Sequence, residues 1–486
     1  MTAAGSRLFR SQAFIGGRWV DASDGRAFEV HDPADGALIA MVADCTPDDA
    51  EGAVAAAHRA FLSWRGVTPL ERGRVLRRWF DLIALHAEDL AALLAREQGK
   101  PLAEARSEIA YGASFVEWFA EEARRIEGDI VASPSKGREI LVLKEPVGVV
   151  AAITPWNFPN AMIARKVAPA LAAGCAVLVK PAAETPLSAL ALGVLAQEAG
   201  LPQGVLNILP STRAQEIGSA FTRHPLVRKI SFTGSTAVGR LIMRDSAGTI
   251  KKLSLELGGN APFIVFDDAD LDAAVAGAIA SKYRNSGQTC VCANRFYVQS
   301  VVYDDFAARL VKAAAALKVG GAFEPGVEQG PLISLKALSK VEALVADARA
   351  RGARVLLGGA RHSRGGTFYE PTVLGDVPSG AQLLSEEIFG PVAPLVRFET
   401  EEEAIALANA SEFGLASYFY ARDLGRVFRV ARAIEAGMVA VNEGFLSMVE
   451  APFGGIKQSG IGREGSRYGI EDYLELKYVR LGGLEG

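Results

Sequence analysis

The sequence predicts an α/β protein with two domains, each built around a buried, largely parallel sheet. The chain has 486 residues, more than one hydrophobic core usually supports. From Val147 onward, short apolar segments alternate with helical stretches of about 10–15 residues, as expected for βαβ units. Half of the residues are hydrophobic and 22% are charged, which is typical of globular domains.

The first 125 or so residues are predicted to be helical. The segment from Pro47 to Arg65 follows Thr46, a residue type that caps helices, and repeats apolar residues at helical spacing. The segments from Glu71 to Gly99 and from Ala103 to Glu122 show the same period. We therefore assign this part of the chain to helices.

Two series of strand-like segments follow. The first comprises VGVVAAI, CAVLVK, VLNIL and KISFTG. The second comprises APFIVF, RFYVQ, APLVRF, ASYFYA and MVAVN, with helices predicted from about Asp270 and about Tyr303. Two further segments, REILVLKEP near residue 140 and YLELKYVRL near residue 475, alternate like strands but fit neither series. We expect them to pair with each other or with another subunit.

Composition argues against several partners. Lys and Arg total 52 and Asp and Glu 56, so the formal charge of −4 gives no support for a nucleic-acid or membrane-surface partner. The N-terminus lacks the apolar core of a signal peptide, and the longest apolar run, Val167 to Val179, is too short to span a bilayer. Four scattered cysteines are too few for a disulfide framework. We expect a cytoplasmic protein.

Common signatures of metal enzymes and hydrolases are missing from the sequence. The five histidines show no H-E-x-x-H spacing and there is no C-x-x-C pair, so no metal site is predicted. Neither G-x-S-x-G nor the phosphate loop G-x-x-x-x-G-K-[ST] occurs. Cysteine is left as the obvious candidate nucleophile.

Two cysteines lie one residue apart in NSGQTCVCANR, from Asn285 to Arg295. Glycine and small polar residues precede Cys290, whereas structural cysteines usually lie in apolar cores. Cys292 has two interpretations. It is either a small residue packed behind the loop, or a redox partner that captures oxidised Cys290 as a strained, reducible disulfide.

Turns after two predicted strands suit nucleotide binding. Gly234, Ser235 and Gly239 follow a strand and precede a helix, where backbone N–H groups can face a pyrophosphate. Lys180 ends another strand, at the sheet edge where open α/β sheets bind ligands. An ordinary turn and a solvated lysine are the alternatives. A lone G-x-G-x-x-G at 460–465 is poorly placed for a dinucleotide and is assigned to a loop.

Two further residues suit acid–base and oxyanion chemistry. Glu256 ends a predicted strand in LELGGN, where a carboxylate can act as a general base through water. Asn157 lies between aromatic and proline residues in TPWNFP, where its amide can stabilise an oxyanion. A surface acid and a turn-capping asparagine are the alternatives.

These motifs together resemble the aldehyde dehydrogenase superfamily. PWNFP, KPA, FTGSTAVG, LELGGN, GQTC and EEIFGP occur in the order found in that superfamily, over essentially the whole chain. The amino-acid sequence around the two cysteines and near the C-terminus most resembles that of succinate-semialdehyde dehydrogenases. Glutarate-semialdehyde dehydrogenases are the next most similar. The resemblance implies a Rossmann-type cofactor domain (residues 1–127 and 147–257), an α/β catalytic domain (258–456) and a small β oligomerisation arm (128–146 and 457–486).

The resemblance also implies a reaction. Cys290 would attack the aldehyde, Asn157 and the backbone N–H of Cys290 would hold the oxyanion, and Glu256 would activate the hydrolytic water. The expected activity is NAD(P)-dependent oxidation of succinate semialdehyde to succinate through a cysteine thiohemiacetal and thioester. Glutarate semialdehyde, or a broader range of aldehydes, is the alternative. An esterase or a CoA-acylating enzyme could use the same thioester, but a water-activating Glu256 argues against CoA acylation.

Cofactor-binding positions are likewise implied by the resemblance: Trp156, Asn157, Lys180, Ala183, Gly234, Ser235, Gly239, Leu257, Glu387 and Phe389. Many NAD-preferring relatives carry a glutamate where this chain has Ala183, and that glutamate bonds the ribose 2′-hydroxyl. Without it a 2′-phosphate meets no like charge at this position, so we expect NADP, with NAD possible.

For the substrate, the resemblance implies that Arg165, Arg284 and Ser447 bind the distal carboxylate of a small semialdehyde. Arginine suits this task because its planar guanidinium binds a carboxylate through two hydrogen bonds. An internal ion pair is the alternative for either arginine. A homodimer or homotetramer is implied as the assembly.

Overall fold

Two large sheets, each with helices packed against it, organise the structure and confirm the predicted α/β fold. The computed structural model describes residues 7–483. Residues 1–6 and 484–486, which belong to the predicted cofactor domain and arm, lie outside the described residues.

The helices, in chain order, are α1 (Pro47–Trp64), α2 (Pro69–Leu85), α3 (Ala87–Gln98), α4 (Leu102–Glu122), α5 (Ala161–Ala173), α6 (Pro186–Glu198), α7 (Ala214–Arg223), α8 (Thr236–Ser246), α9 (Leu271–Lys282), α10 (Ser300–Ala315), α11 (Leu335–Ala350), α12 (Glu401–Asn409) and α13 (Leu424–Ala433). Short 3₁₀ turns occur at Ala123–Arg125, Ala247–Thr249, Arg284–Gly287, Gln382–Leu384 and Glu471–Tyr473.

The strands of the N-terminal half are β1 (Ala13–Ile15), β2 (Arg18–Val20), β3 (Ala27–His31), β4 (Leu38–Ala43), β5 (Asp129–Val131), β6 (Arg138–Pro146), β7 (Val149–Ile153), β8 (Ala176–Lys180), β9 (Leu206–Ile208), β10 (Val227–Thr233) and β11 (Lys252–Glu256). Those of the C-terminal half are β12 (Ala261–Val265), β13 (Ala293–Gln299), β14 (Arg354–Leu357), β15 (Thr372–Gly375), β16 (Val392–Phe398), β17 (Phe413–Gly414), β18 (Ala416–Tyr420), β19 (Met438–Val441), β20 (Ile456–Lys457), β21 (Gly460–Ile461) and β22 (Leu474–Gly482).

The first sheet has the strand order β2-β1-β9-β8-β7-β10-β11-β21. Strands β7 to β11 are parallel neighbours, and the antiparallel β1–β2 hairpin and β21 lie at the edges. Every residue of β8 is buried, as expected for a central parallel strand covered on both faces. The carboxyl ends of β7, β8, β10 and β11 therefore meet at one edge, which is where ligands of such sheets bind.

The second sheet has the order β14-β15-β16-β13-β12-β18-β19 and is parallel except for the edge strand β14. Its core is aromatic, because the Phe263 ring packs on Phe296, Tyr418 and Tyr420 with ring centroids 5.0–6.0 Å apart. The loop that carries Cys290 leads directly into β13. This sheet thus presents the candidate nucleophile to the first one.

A third sheet consists of β22, β6 and β5. Strands β6 and β22 pair antiparallel over nine residues, from Leu474 opposite Pro146 to Gly482 opposite Arg138. The two segments that matched neither series therefore pair with each other. Apolar side chains on this sheet are exposed, among them Ile130 (80%) and Leu476 (69%).

The C-terminal segment joins all three regions. Strand β20 pairs with β17 beside the second sheet, β21 pairs with β11 of the first sheet, and β22 belongs to the third. Part of the predicted arm segment, 457–486, thus completes the first sheet. The G-x-G-x-x-G glycines of 460–465 lie in and after the two-residue strand β21, and no α-helix follows them within the described residues.

The N-terminal prediction was incomplete, because four strands precede the first helix. Strands β1 and β2 form a hairpin through Gly16 and Gly17, whose φ angles of 61° and 81° favour glycine. The strands of this hairpin have three residues each, so they show little alternation. The predicted helix from Glu71 to Gly99 is two helices, which meet at His86. Thr46 caps α1 as expected, with Asp49 completing a capping box.

Membrane spans and metal clusters are both absent from residues 7–483. No helix in this range is long and apolar enough to cross a membrane. The same range contains no group of three His, Cys, Asp or Glu residues placed to hold a metal ion.

Candidate active site

A cavity of about 600 Å³ lies between the two large sheets and brings half of the predicted site residues together. It is bordered by the turns after β7, β10 and β11, by the loop before β13 and by residues 387–389. Eight predicted residues line it: Trp156, Asn157, Gly234, Ser235, Leu257, Cys290, Glu387 and Phe389. The sequence prediction did not include Lys336 and Lys340 of α11, which also line it.

The N-terminus of α8 forms one wall of the cavity. Ser235 is its N-cap, and the Ser235 side chain accepts a hydrogen bond from the Val238 N–H. A Cβ on Gly239 would lie 2.5 Å from the Leu257 side chain, so this glycine lets α8 pack closely against a cavity-lining residue. Backbone N–H groups at a helix N-terminus suit a pyrophosphate, and the arrangement therefore fits a dinucleotide.

Lys180 is buried at the end of β8. Its ammonium donates to the carbonyls of Pro181 (3.1 Å) and Ser211 (3.0 Å). Burial lowers the pKa of Lys180 to about 8, while the carboxylates of Glu184 and Asp44 act to raise it. The ammonium is thus held in place at the sheet edge without a direct carboxylate partner among the described residues.

Ala183 lies in a groove that adjoins the cavity, and Glu184 borders both. Glu29 and Glu97 also line this groove, whereas no lysine or arginine does so in the described part of the chain. Residue 183 is thus an alanine rather than a glutamate. The next residue, the exposed Glu184, nevertheless places a carboxylate at the same edge of the cavity.

Glu387 and Phe389 close the opposite side of the cavity. The Glu387 carboxylate accepts from the Gly259 N–H at 3.3 Å, and burial raises the pKa of Glu387 to about 7. The Phe389 ring meets the edge of Trp156, with ring centroids 5.6 Å apart and an 84° angle between the rings. Carboxylate and aromatic walls suit the ribose and nicotinamide of a dinucleotide.

The turn before Cys290 has an unusual backbone. Asn285, Ser286 and Gly287 have φ angles of 50°, 57° and 73°, three successive residues in the left-handed region. A Cβ on Gly287 would lie 2.1 Å from the Gly390 carbonyl oxygen, so this position requires glycine. The turn redirects the chain from α9 and places Cys290 at the cavity.

Asn157 is buried beside this turn. Its side-chain Nδ2 donates to the Gln288 carbonyl at 3.0 Å, and its Oδ1 has no hydrogen-bond partner among the described residues. Its backbone carbonyl accepts from Lys100 Nζ (2.8 Å) and Asn285 Nδ2 (3.1 Å). The amide is thus positioned from both sides, next to the loop that carries Cys290.

A buried ion pair that the sequence did not reveal holds the Asn157 segment. Lys100 Nζ lies 2.6 Å from Glu108 Oε2, and both side chains are 1% exposed. The other oxygen of Glu108 accepts from the Asn160 N–H at 2.9 Å. The pair therefore fixes both ends of the turn between β7 and α5. Its members lie about 50 residues from that turn, and no local pattern connects them.

Glu256 lies buried at the end of β11, close to a second carboxyl group. Burial raises the pKa of Glu256, and the Glu464 carboxylate adds to this effect. Although burial also acts on Glu464, Lys166 and Arg165 hold the pKa of Glu464 below its usual value. Glu464 is thus the ionised carboxyl of the two, while Glu256 holds a proton more readily. Glu256 Oε2 has no hydrogen-bond partner among the described residues.

The three predicted carboxylate-binding residues have different surroundings. Arg165 is 1% exposed and its guanidinium lies 2.8 Å from Glu464, so the internal ion pair considered for it exists. Arg284 makes no ion pair with the described residues, and its guanidinium lies 5.4 Å and 4.9 Å from the ring centroids of Phe158 and Phe445. Ser447 is buried in the same loop as Phe445, with no hydrogen bond to the described residues.

Cys292 is not among the residues that line the cavity. Its thiol is buried and donates to the Lys282 carbonyl at 3.3 Å. All four cysteines are free thiols. This placement favours the interpretation of Cys292 as a small residue packed behind the loop, while the redox role stays a prediction.

The Cys290 thiol is protonated near neutral pH. Burial raises the pKa of Cys290 to about 12, and the carboxylate of Glu387 acts in the same direction. Arg165 and Arg284 oppose this effect. The thiol therefore needs a proton acceptor, or a change in its surroundings, before it can act as a nucleophile.

Comparison of the sequence with known proteins identifies its family. The sequence profile described as the aldehyde dehydrogenase family matches residues 19–479. The chain belongs to this family. It is 58% identical over 479 residues to the glutarate-semialdehyde dehydrogenase of Pseudomonas aeruginosa, covering 99% of each chain. It is 57% identical over 477 residues to the succinate-semialdehyde dehydrogenase (NADP(+)) GabD of Escherichia coli, covering 98% of this chain and 99% of that one.

Solved structures of this family agree with the fold. The succinate-semialdehyde dehydrogenase of Burkholderia pseudomallei superposes with a TM-score of 0.97 at 58% identity, over 98% of both chains. The predicted family is therefore confirmed, and 98% of the chain has a counterpart in this solved structure.

The raised pKa of Cys290 leads to a prediction for the free enzyme. Only the thiolate reacts with iodoacetamide, and the thiolate fraction rises with pH as long as the pH is below the pKa. We expect the alkylation rate of Cys290 to increase about tenfold per pH unit from pH 7 to 10, without a plateau. Mass spectrometry of the labelled peptide measures it, with Cys290→Ala as the control for the other thiols. A plateau near pH 7 would contradict the raised pKa.

Proposed function

We propose that this aldehyde dehydrogenase oxidises succinate semialdehyde to succinate with a nicotinamide cofactor. The observation that carries the proposal is the placement of Cys290, Asn157 and the nucleotide-compatible turns around one cavity, with the unpaired guanidinium of Arg284 nearby. Relatives at 57–58% identity are named for succinate semialdehyde and glutarate semialdehyde. Both substrates carry an aldehyde and a distal carboxylate, and both fit this arrangement.

In the proposed reaction, Cys290 Sγ attacks the aldehyde carbon. The C–S bond forms, the carbonyl π electrons move to oxygen, and the thiol proton passes to solvent water. Asn157 Nδ2 and the Cys290 N–H donate to the oxyanion, which supports the tetrahedral adduct. A nicotinamide cofactor held by the α8 N-terminus, Lys180 and Glu387 would supply the hydride acceptor. Asn157 and the Cys290 N–H then hold the oxygen of the thioester carbonyl that re-forms.

Glu256 is proposed to serve the hydrolytic half of the reaction. Its carboxylate removes a proton from water, the water oxygen attacks the thioester carbon, and the C–S bond breaks to release the acid and Cys290. Burial and the charge of Glu464 raise the pKa of Glu256, which makes its carboxylate a stronger proton acceptor than a solvated glutamate. Three charged side chains surround Glu256 and do not contact the substrate in this proposal: Glu464, Lys166 and Arg165.

Arg284 and Ser447 are proposed to bind the distal carboxylate. Arg284 is the better candidate of the two arginines because it has no carboxylate partner among the described residues, whereas Arg165 is paired with Glu464. A carboxylate held at Arg284 would also share the aromatic surroundings of Phe158 and Phe445. Arg165 contributes positive charge to the same region.

For the cofactor, we propose NADP with NAD as an alternative that the enzyme also accepts. The α8 N-terminus, Lys180 and Glu387 suit the pyrophosphate and ribose groups common to both. The Escherichia coli relative is named for NADP. Ala183 leaves room for a 2′-phosphate, but the charge of Glu184 at the same edge weakens that preference.

The third sheet is proposed to be an oligomerisation arm that gives a homodimer or homotetramer. Exposed apolar side chains lie on both of its faces, which would be covered in a subunit interface. These are Ile130 and Leu143 on one face, and Val131, Leu476 and Tyr478 on the other.

The four free cysteines support a reducing cytoplasm as the compartment.

A panel of aldehydes tests the proposed function. Succinic and glutaric semialdehydes, hexanal and benzaldehyde are supplied with each cofactor while the absorbance of the reduced nicotinamide is followed. We expect the highest kcat/KM with a semialdehyde, and with succinic above glutaric semialdehyde. Equal kcat/KM for hexanal and both semialdehydes would contradict the proposed substrate class.

Arg284→Ala should affect carboxylate substrates selectively. Losing a hydrogen bond to a charged group costs about 1.5–3 kcal/mol, so kcat/KM for succinic semialdehyde should fall roughly ten- to over a hundredfold. The value for hexanal should change little. A matched control is Arg228→Ala, which removes an exposed arginine near the start of β10, at the opposite end of that strand from the cavity. Parallel losses for both aldehydes would remove Arg284 from carboxylate binding.

Glu184→Gln should shift cofactor use toward NADP. An exposed charge pair is worth up to about 1 kcal/mol, so the NADP/NAD ratio of kcat/KM should rise by up to about fivefold. Ala183→Glu should lower that ratio by like-charge repulsion of the 2′-phosphate. If neither substitution changes the ratio, the ribose does not bind at this groove.

Leu476→Glu combined with Ile130→Glu should reduce the size of the assembly, because both side chains would lose apolar burial in the proposed interface. Light scattering coupled to gel filtration measures the molar mass. Val301→Glu is the control, since Val301 is 83% exposed on α10, away from the third sheet. An unchanged mass for the double variant would place the interface elsewhere.

A further inference from the structure

Tyr111, on α4, has a buried hydroxyl that neither the motifs nor the proposed mechanism uses. Its ring meets the edge of Phe115, with centroids 4.9 Å apart. It also packs against a small apolar cluster of Phe158, Ala161 and Met162. Phe158 follows Asn157 directly, so this tyrosine lies next to the segment that carries the proposed oxyanion donor.

The same two aromatic rings connect Tyr111 to both arginines of the substrate region. The Arg165 guanidinium lies 5.6 Å from the Phe115 ring, and the Arg284 guanidinium lies 5.4 Å from the Phe158 ring. Tyr111 packs against Phe115 and against the cluster that contains Phe158, so it lies close to the aromatic rings that both guanidinium groups approach.

The Tyr111 hydroxyl has no hydrogen-bond partner among the described residues, although it is fully buried. An unsatisfied buried hydroxyl costs the free enzyme stability, and Phe would fill the same space without that cost. Burial raises the pKa of Tyr111, so the phenol keeps its proton and can only donate to an anion. The charges of Arg165, Arg284 and Glu464 act on it, which agrees with its place in the substrate region.

We propose that Tyr111 is a specificity-determining residue whose hydroxyl donates a hydrogen bond to the distal carboxylate of the substrate. It acts together with Arg284 and Ser447, and its desolvated O–H is satisfied only when the carboxylate is bound. Such a site rejects an analogue that lacks the carboxylate, because the buried donor then stays unpaired. This inference rests on the proposed function, since it names a further group for the same substrate.

The test is Tyr111→Phe, which removes the hydroxyl and keeps the ring. We expect kcat/KM for succinic semialdehyde to fall roughly ten- to a hundredfold, the loss typical of a hydrogen bond to a charged group, with little change for pentanal. Equal losses for the two aldehydes would overturn the proposal, because Tyr111 would then act on Cys290 or on the aldehyde group. An unchanged preference for the semialdehyde would overturn it as well.

Thermal unfolding of the free enzyme separates this role from a structural one. Tyr303→Phe is the matched control, because the Tyr303 hydroxyl is buried and accepts from the Asp376 N–H at 2.7 Å. The control should lower the Tm and leave substrate preference unchanged, whereas Tyr111→Phe should keep or raise the Tm. A drop in Tm for Tyr111→Phe equal to that of the control would show that the hydroxyl has a structural partner and overturn the proposal.

The native enzyme separates failure of this inference from failure of the proposed function. If the native enzyme shows no preference for succinic semialdehyde over pentanal, the proposed substrate class is wrong, and the inference fails with it. If the native enzyme shows the preference and Tyr111→Phe retains it, only the role of Tyr111 is wrong.

Discussion

The buried ion pair between Lys100 and Glu108 is the interaction on which the active-site geometry depends. A buried pair is stable only when its remaining donors and acceptors are also satisfied. Here Lys100 also donates to the Asn157 carbonyl, and Glu108 also accepts from the Asn160 N–H. The Lys100–Glu108 pair therefore holds the turn after β7 against α4. The position of this turn in turn sets the position of the Asn157 side chain.

A second buried set of charges determines which groups near Cys290 hold protons. Lys166 and Arg165 keep Glu464 ionised, and the negative charge of Glu464 in turn favours a protonated Glu256. The Cys290 thiol is itself protonated in the free enzyme. In the free protein, Glu256 and Cys290 thus both favour their protonated forms, and a protonated thiol is less readily oxidised than a thiolate.

The sequence predicted the features that depend on contiguous residues. Asn157 and Ser235 lie in turns that follow β7 and β10, and Glu256 is the last residue of β11, so each lies close in sequence to the strand that positions it. The partner of Arg165 could not be predicted, since Glu464 follows 299 positions later and only the fold brings them together. The first hairpin was missed although Gly16–Gly17 is a turn signal, because its three-residue strands show no clear period.

The path of residues 456–482 has a consequence for biosynthesis. Strand β21 borders β11 at Glu256, and Glu464 follows within the same segment, so the last-made part of the described chain supplies one edge of the site. Domains generally fold as they emerge from the ribosome, N-terminal first. The sheets of this protein can begin to form early in translation, but the surroundings of Glu256 are complete only when this segment has emerged. A nascent chain stalled before it would carry the Cys290 loop without the ionised neighbour that sets the protonation of Glu256.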